Sequence, residues 1–119
     1  MNTTGLESEA YIYFPPDMEV APLGAYSQRE DWRDAPVNIK LFDAFGSWTW
    51  YITEYDPTED IAFGLVKGFD TELGEIYIPE LRELTQGPVP RIERDLHWRP
   101  LPLGEVMSKE GLSWHLKDS

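Results

Sequence analysis

The sequence contains no cysteine, which excludes disulfides, thiolate-bound zinc, iron–sulfur clusters and cysteine nucleophiles. It also lacks any apolar run that approaches the roughly 20 residues of a membrane-spanning helix. Basic residues are few, since 10 Lys and Arg stand against 22 Asp and Glu, for a net charge of −12. This charge disfavours direct binding of nucleic acid, because carboxylates repel the phosphates. The composition instead favours a basic protein as the partner.

The length of 119 residues predicts a single domain with one hydrophobic core. Hydrophobic residues make up 41% of the chain and aromatic residues 13%, which is too much for a disordered protein. The first residues carry neither the basic stretch nor the apolar segment of a signal peptide. We therefore expect a folded cytoplasmic protein that makes no contact with membranes.

The N-terminal part of the chain shows no sustained periodicity and is interrupted by prolines, including the pair Pro15-Pro16. The first 28 residues contain four acids and no base. We predict an irregular acidic arm over residues 1–36, followed by one α+β domain over residues 37–119.

Four strands are predicted in the middle of the chain, where β-branched and aromatic residues are enriched and apolar positions alternate. They cover residues 37–42, 48–55, 61–69 and 73–78. The connections between them have three to five residues, so consecutive strands should pair antiparallel as a meander.

Strict alternation assigns the side chains of these strands to two faces of the sheet. In the second strand it places Tyr51 and Tyr55 on one face, opposite Trp50 and Ile52. In the third strand it places Phe69 on the same face as the large apolar residues before it.

Two short helices and a fifth strand are predicted in the C-terminal half. The helices cover residues 79–84 and 102–107, and an edge strand covers residues 92–98. The predicted fold class is α+β: a twisted antiparallel β-meander of four to five strands with one or two short helices on one face.

Several blocks of the chain resemble the DUF2958 family in their order and spacing. They are Gly46–Tyr51, Thr53–Asp56, Phe63–Gly68, Glu72–Gly74 and Ile92–Trp98. The resemblance covers residues 37–107, and the N-terminal part does not show the helical opening expected of the family. It implies a domain of unknown function, encountered in bacterial and phage genomes and often among mobile-element genes. It implies no established catalytic residue.

The densest charge lies in residues 54–83, which contain nine acids and two bases. We expect the turns at 56–60 and 70–72 to lie at opposite ends of the third strand, so that their carboxylates border the sheet. This border is interpreted as a surface that imitates phosphates and inhibits or modulates a basic, nucleic-acid-binding defence complex of the host. The mobile-element context that the resemblance implies favours the same role. The residues assigned to this surface are Glu54, Asp56, Glu59, Asp60, Asp70, Glu72 and Glu75, with Tyr51 and Tyr55 as aromatic contacts. The alternative is a solvated acidic rim that only keeps the protein in solution.

A different function would follow if residues 92–98 form a strand, because Glu93, Asp95 and His97 would then share one face. Two carboxylates and an imidazole could hold a divalent metal or serve a small enzyme. We prefer a structural interpretation, in which Glu93 and Asp95 form ion pairs with Arg94 or its neighbours. A further alternative is an accessory structural domain that works only within an oligomer. No cofactor is expected, no catalytic residue is assigned, and the oligomeric state is left open.

Overall fold

The computed structural model describes residues 9–85 and 91–110, in which five strands form one antiparallel sheet and two short strands pair separately. The strands are β1 (Pro36–Val37), β2 (Ile39–Asp43), β3 (Thr49–Asp56), β4 (Ile61–Lys67), β5 (Thr71–Tyr77), β6 (Ile92–Arg94) and β7 (Leu101–Pro102). The helices are α1 (Ile78–Thr85) and α2 (Leu103–Lys109), and a 3₁₀ turn covers Trp32–Asp34. The order of strands in the sheet is β5-β4-β3-β2-β6, and β1 pairs with β7.

Strands β2 to β5 form a meander, in which each strand pairs antiparallel with the next one along the chain. The predicted antiparallel sheet and the α+β class are thereby confirmed. Strand β6 pairs with β2 at the edge of the sheet opposite β5. Within residues 9–85 and 91–110, no helix has the length and apolarity that crossing a membrane requires.

The third predicted strand is shorter than expected. It ends at Lys67, so Phe69 lies in the bend that follows and not on a buried strand face. The Phe69 side chain is 94% exposed. The placement of Phe69 with the apolar residues of β4 was therefore wrong, because the chain leaves the sheet before that position.

The strand predicted over residues 92–98 is also too long. It ends at Arg94, because the Asp95 carboxylate accepts a hydrogen bond from the backbone N–H of His97 and turns the chain there. The alternation that would have placed Glu93, Asp95 and His97 on one face does not extend through this turn.

A β-bulge interrupts β3 at Thr53. The pairing of β3 with β4 runs up to Ile52 and resumes at Glu54 after a register shift of one residue. As a result, Tyr55 packs on the face of Ile52, and the prediction that it shares the face of Tyr51 was wrong.

The sheet has a hydrophobic core on each face. The first core consists of Tyr13, Ile39, Leu41, Trp50, Ile52, Ala62, Ile76, Ile78, Leu81 and Ile92. The second core consists of Val37, Tyr51, Leu65, Leu103, Val106 and Met107. Because α1 contributes to the first core and α2 to the second, the two helices lie on opposite faces of the sheet.

The described part of the N-terminal segment packs against the sheet. The Tyr13 side chain is buried, and its hydroxyl donates a hydrogen bond to the backbone carbonyl of Ile92 at 2.9 Å. Phe14 stacks on Tyr55 with 3.5 Å between ring centroids. Arg94 is also buried, and its guanidinium donates to the backbone carbonyl of Ile12 at 2.7 Å. These contacts place residues 12–14 against the β6 edge and the first core.

Candidate functional site

Glu54 is a fully buried carboxylate in the middle of the sheet, with 0% of the residue exposed. Its two oxygens accept hydrogen bonds from the backbone N–H groups of Gly24, Tyr26 and Ser27, at 2.7, 2.7 and 2.8 Å. Three charge-assisted hydrogen bonds offset much of the cost of burying the charge. Glu54 therefore holds the loop around residues 24–27 onto the sheet and contributes nothing to a partner-binding surface.

The backbone of the loop around residues 24–27 directs three N–H groups toward the Glu54 carboxylate. Gly24 has a φ of +90°, in the region that favours glycine, and the turn that it allows directs the following N–H groups toward β3. Sequence reasoning missed this contact. The available signal was that Glu54 is the one acid in the predicted strand over residues 48–55, which otherwise consists of β-branched and aromatic residues.

A cavity of about 180 Å³ lies beside Glu54, between the sheet and the 3₁₀ turn. Its apolar walls include Trp32, Phe63 and Leu103. The polar groups in it are already engaged, since the Thr53 hydroxyl donates to the Phe63 carbonyl at 3.2 Å and the Glu54 oxygens accept the loop N–H groups. Among the described residues, no buried side-chain nitrogen or oxygen lacks a hydrogen-bond partner. The cavity therefore presents no unpaired acid or base for chemistry.

The turn between β3 and β4 uses its carboxylates internally. Asp56 accepts a hydrogen bond from the backbone N–H of Thr58 at 2.9 Å, which closes the turn. Asp60 has a φ of +58° and accepts hydrogen bonds from the Tyr55 hydroxyl and the Arg82 guanidinium. Burial raises the pKa of Tyr55, and the hydrogen bond to Asp60 raises it further. Of the acids in this turn, only Glu59 is exposed, while Asp56 and Asp60 are half-buried.

Tyr51 is 4% exposed and belongs to the second core. Its hydroxyl donates to the Glu110 carboxylate at 3.0 Å, and Lys67 pairs with the same carboxylate at 2.5 Å. Burial raises the pKa of Tyr51, and the hydrogen bond to Glu110 adds to that shift. The hydrogen bond from Lys67 lowers the pKa of Glu110. Tyr51 is therefore a packing residue, unlike the aromatic contact that we predicted.

A surface around the β4–β5 turn does combine exposed acids with two aromatic rings, of which Phe69 is exposed and Trp48 is half-buried. We call it the hairpin surface and define it by Trp48, Phe69, Asp70, Glu72 and Glu75. The three acids are exposed, and none of the ion pairs found in the described part of the chain involves them. The Phe69 ring lies edge-on to Trp48, with 5.4 Å between centroids. These five residues line a groove of about 360 Å³.

Glycine positions the tryptophan of the hairpin surface. A Cβ on Gly68 would lie 2.5 Å from the ring of Trp48, so the indole packs directly on the backbone there. Sequence reasoning selected the three acids but missed both rings of this surface. The signal for Phe69 was its position between Gly68 and Asp70, where a turn begins and a large apolar side chain has no core to enter.

Of the two acids near β6, Asp95 forms structural contacts. Asp95 lies 3.6 Å from Lys40 and not beside an arginine. Arg94 donates to backbone carbonyls and not to the acids beside it. Glu93 is half-buried, and His97 is exposed. Within residues 9–85 and 91–110, no three His, Asp or Glu side chains converge as metal ligands would.

The ion pair between buried Asp43 and exposed Arg91 was not predicted. Asp43, whose side chain is 3% exposed, accepts hydrogen bonds from the Arg91 guanidinium at 2.9 and 3.0 Å. The hydrogen bond from Arg91 lowers the pKa of Asp43, although burial opposes the shift. This pair joins the end of β2 to the start of β6.

Comparison with known proteins identifies one family model that matches the chain, described as "Protein of unknown function (DUF2958)", over residues 19–107. The match confirms the resemblance and begins earlier than the expected residue 37. It includes the Glu54-bound loop at residues 24–27. No curated protein and no solved structure matches the chain.

Proposed function

Because this chain belongs to the DUF2958 family, whose function is unknown, we propose a role from its own surface: a non-enzymatic interaction protein that binds a basic partner protein. The binding region is the hairpin surface. The observation that carries this proposal is Phe69, which is 94% exposed and stands beside Asp70 at the tip of the β4–β5 hairpin.

An exposed aromatic ring at a hairpin tip contributes little to folding, since it buries almost no area there. Large exposed aromatic side chains are typical of binding hot spots, where they enter a pocket of the partner. The groove between Trp48 and Glu75 gives the partner a concave surface next to the ring. The hairpin surface thus has both a projecting group and a recess.

Charge supports the choice of a basic partner. The net charge of −12 attracts a positively charged surface over long range and accelerates encounter. Asp70, Glu72 and Glu75 have no ion-pair partner among the described residues, so they can pair with lysine or arginine without breaking contacts within this chain. The partner class that fits is a protein that otherwise binds nucleic acid, with these carboxylates in the place of phosphates.

The test is capture of the partner from lysate by the tagged protein, with captured proteins identified by mass spectrometry. The test variant carries Asp70→Lys, Glu72→Lys and Glu75→Lys. A matched control carries Glu19→Lys, Glu30→Lys and Asp34→Lys, which are exposed acids elsewhere with the same total change in charge.

We expect one stoichiometric basic partner that the control variant retains and that the test variant binds about tenfold more weakly or worse. Displacement of this partner by duplex DNA would support phosphate imitation. Equal retention by the test and control variants would overturn the hairpin surface as the binding region. Equal loss of the partner by the test and control variants would show that the acids act only through long-range attraction and that the hairpin surface is not the binding region.

A further inference from the structure

Strand β5 is an open edge of the sheet. It pairs with β4 on one side over seven residues without a register shift, and no described strand lies on its other side. It contains neither proline nor lysine, which are the residues that most often protect an edge from further pairing. Its seven residues are slightly more than the five or six of a typical strand, so the edge offers several backbone groups for pairing.

The backbone groups that point outward from β5 can be identified from the ends of the hairpin. Gly68 N–H donates to the Asp70 carbonyl, and Ile78 N–H donates to the Asp60 carbonyl. Hydrogen-bonded pairs recur at every second residue of an antiparallel ladder. Between these two ends, Gly74 therefore bonds to β4, while Leu73 and Glu75 direct their N–H and C=O groups away from the sheet.

We propose that an extended basic segment of the partner adds to the sheet as a new strand along β5, paired with the backbone of Leu73 and Glu75. This inference rests on the proposed function and specifies how the partner is bound. Main-chain hydrogen bonds supply affinity in this mode, and the side chains on both faces of the new strand supply specificity.

Charge disfavours a second copy of this chain as the added strand. An antiparallel β5–β5 pair centred near the middle of the strand would bring Glu72 or Glu75 of one copy near its counterpart in the other, and like charges across strands are destabilising. A basic segment reverses the sign of that contact. The acids of β5 therefore act against self-association and favour a segment rich in lysine or arginine.

The positions along β5 define the sequence of that segment. Glu72 and Gly74 lie on one face of the strand, and Glu75 lies on the other. A Cβ at Gly74 would meet no atom within 4 Å, so a bulky partner side chain has room there, in the groove beside Trp48. With antiparallel pairing, the segment reads basic, bulky apolar, any residue, basic, in the N-to-C direction.

The test uses the synthetic peptide acetyl-Thr-Val-Arg-Trp-Thr-Arg-Val-Thr-amide, titrated into the full chain and followed by NMR. One analogue carries N-methyl groups on the first arginine and the central threonine, whose N–H groups face β5 in the proposed register. A matched analogue carries them on the tryptophan and the second arginine, whose N–H groups face away.

We expect the analogue methylated on the β5 side to bind about tenfold more weakly than the unmodified peptide, since it loses two inter-strand hydrogen bonds. The matched analogue should bind within about threefold of the unmodified peptide. The amides of Leu73 and Glu75 should become protected from hydrogen exchange only when peptide is present.

Three results would overturn strand addition: no peptide binding, equal binding of the two analogues, or protection of the Leu73 and Glu75 amides in the free protein. These results are separable from failure of the proposed function. If the analogues bind equally but Glu72→Lys with Glu75→Lys abolishes binding, the basic-partner function stands and the strand geometry is wrong. If the lysate partner ignores those charge reversals, the proposed function itself fails.

Discussion

The carboxylate of Glu54 accepts a hydrogen bond from the backbone N–H of Tyr26 at 2.7 Å, although the two residues lie 28 positions apart. Tyr55, the next residue of β3, donates its N–H to the carbonyl of Ala21, so two consecutive residues of the strand bond to the segment. The N-terminal segment is thereby attached to the centre of the sheet by charged and main-chain hydrogen bonds.

Replacement of Glu54 by alanine should lower the free energy of unfolding by about 3 kcal/mol, because three backbone N–H groups lose their acceptor in a buried place. Urea denaturation followed by tryptophan fluorescence would measure the change. Glu59→Ala serves as the control, since Glu59 is exposed, and its effect should stay within about 0.5 kcal/mol. Equal stability of the two variants would contradict the assigned role of Glu54.

Two glycines in adjacent strands should respond in opposite ways to alanine. A Cβ on Gly64 would lie 1.9 Å from the backbone oxygen of Tyr51, so Gly64→Ala should destabilise the fold by about 2 kcal/mol or more. Gly74 has open space at the same position, and Gly74→Ala should be neutral or stabilise by up to about 1 kcal/mol. Thermal unfolding of both variants measures these changes, and destabilisation by Gly74→Ala would contradict the open space at this position on the face of β5.

The pair of Asp43 and Arg91 should make stability depend on acid pH. The folded-state pKa of Asp43 is lowered, so its contribution is present above the unfolded-state pKa and is lost as pH falls through the folded value. The stability difference between wild type and Asp43→Asn should be constant above about pH 5 and should shrink below about pH 4. Arg91→Met removes the other member of the pair, and its stability difference from the wild type should likewise shrink as the pH falls. A difference that stays constant down to pH 2.5 would contradict the pairing.

Phe69 should matter for binding and not for folding. Since its side chain is 94% exposed, Phe69→Ala should change the free energy of unfolding by less than about 0.5 kcal/mol. The same variant should weaken capture of the basic partner from lysate. Phe45→Ala is the matched control, because Phe45 is 66% exposed in a different turn and should retain the partner. Loss of the partner in both variants would indicate general hydrophobic adhesion.

The meander could be predicted from the sequence because its signals are local. Alternation in β2 and the aromatic and β-branched run of β3 specify strands, and short polar turns specify antiparallel pairing. The placement of the two helices on opposite faces could not be predicted. It depends on the side of the sheet on which each helix packs, and no local sequence pattern encodes that side.

The candidate site was only partly predictable, for the same reason. Composition pointed to Asp70, Glu72 and Glu75, because turns and edges expose acids. It also selected Glu54 and Tyr51, which are buried. Their burial could not be predicted, because their hydrogen-bond partners, at residues 24–27 and at Glu110, are distant in the chain. Long-range hydrogen bonds of this kind leave no periodic trace in the sequence.

The bulge at Thr53 reverses the alternation of side chains between the two faces of β3. Upstream of it, even-numbered positions supply the first core, and downstream of it the odd-numbered Tyr55 does so. Any search that assumes a single period of two across the strand averages opposite signals and underestimates its amphipathic character. The amphipathic character of this strand is therefore measured correctly only when the two half-strands that meet at the bulge are scored separately.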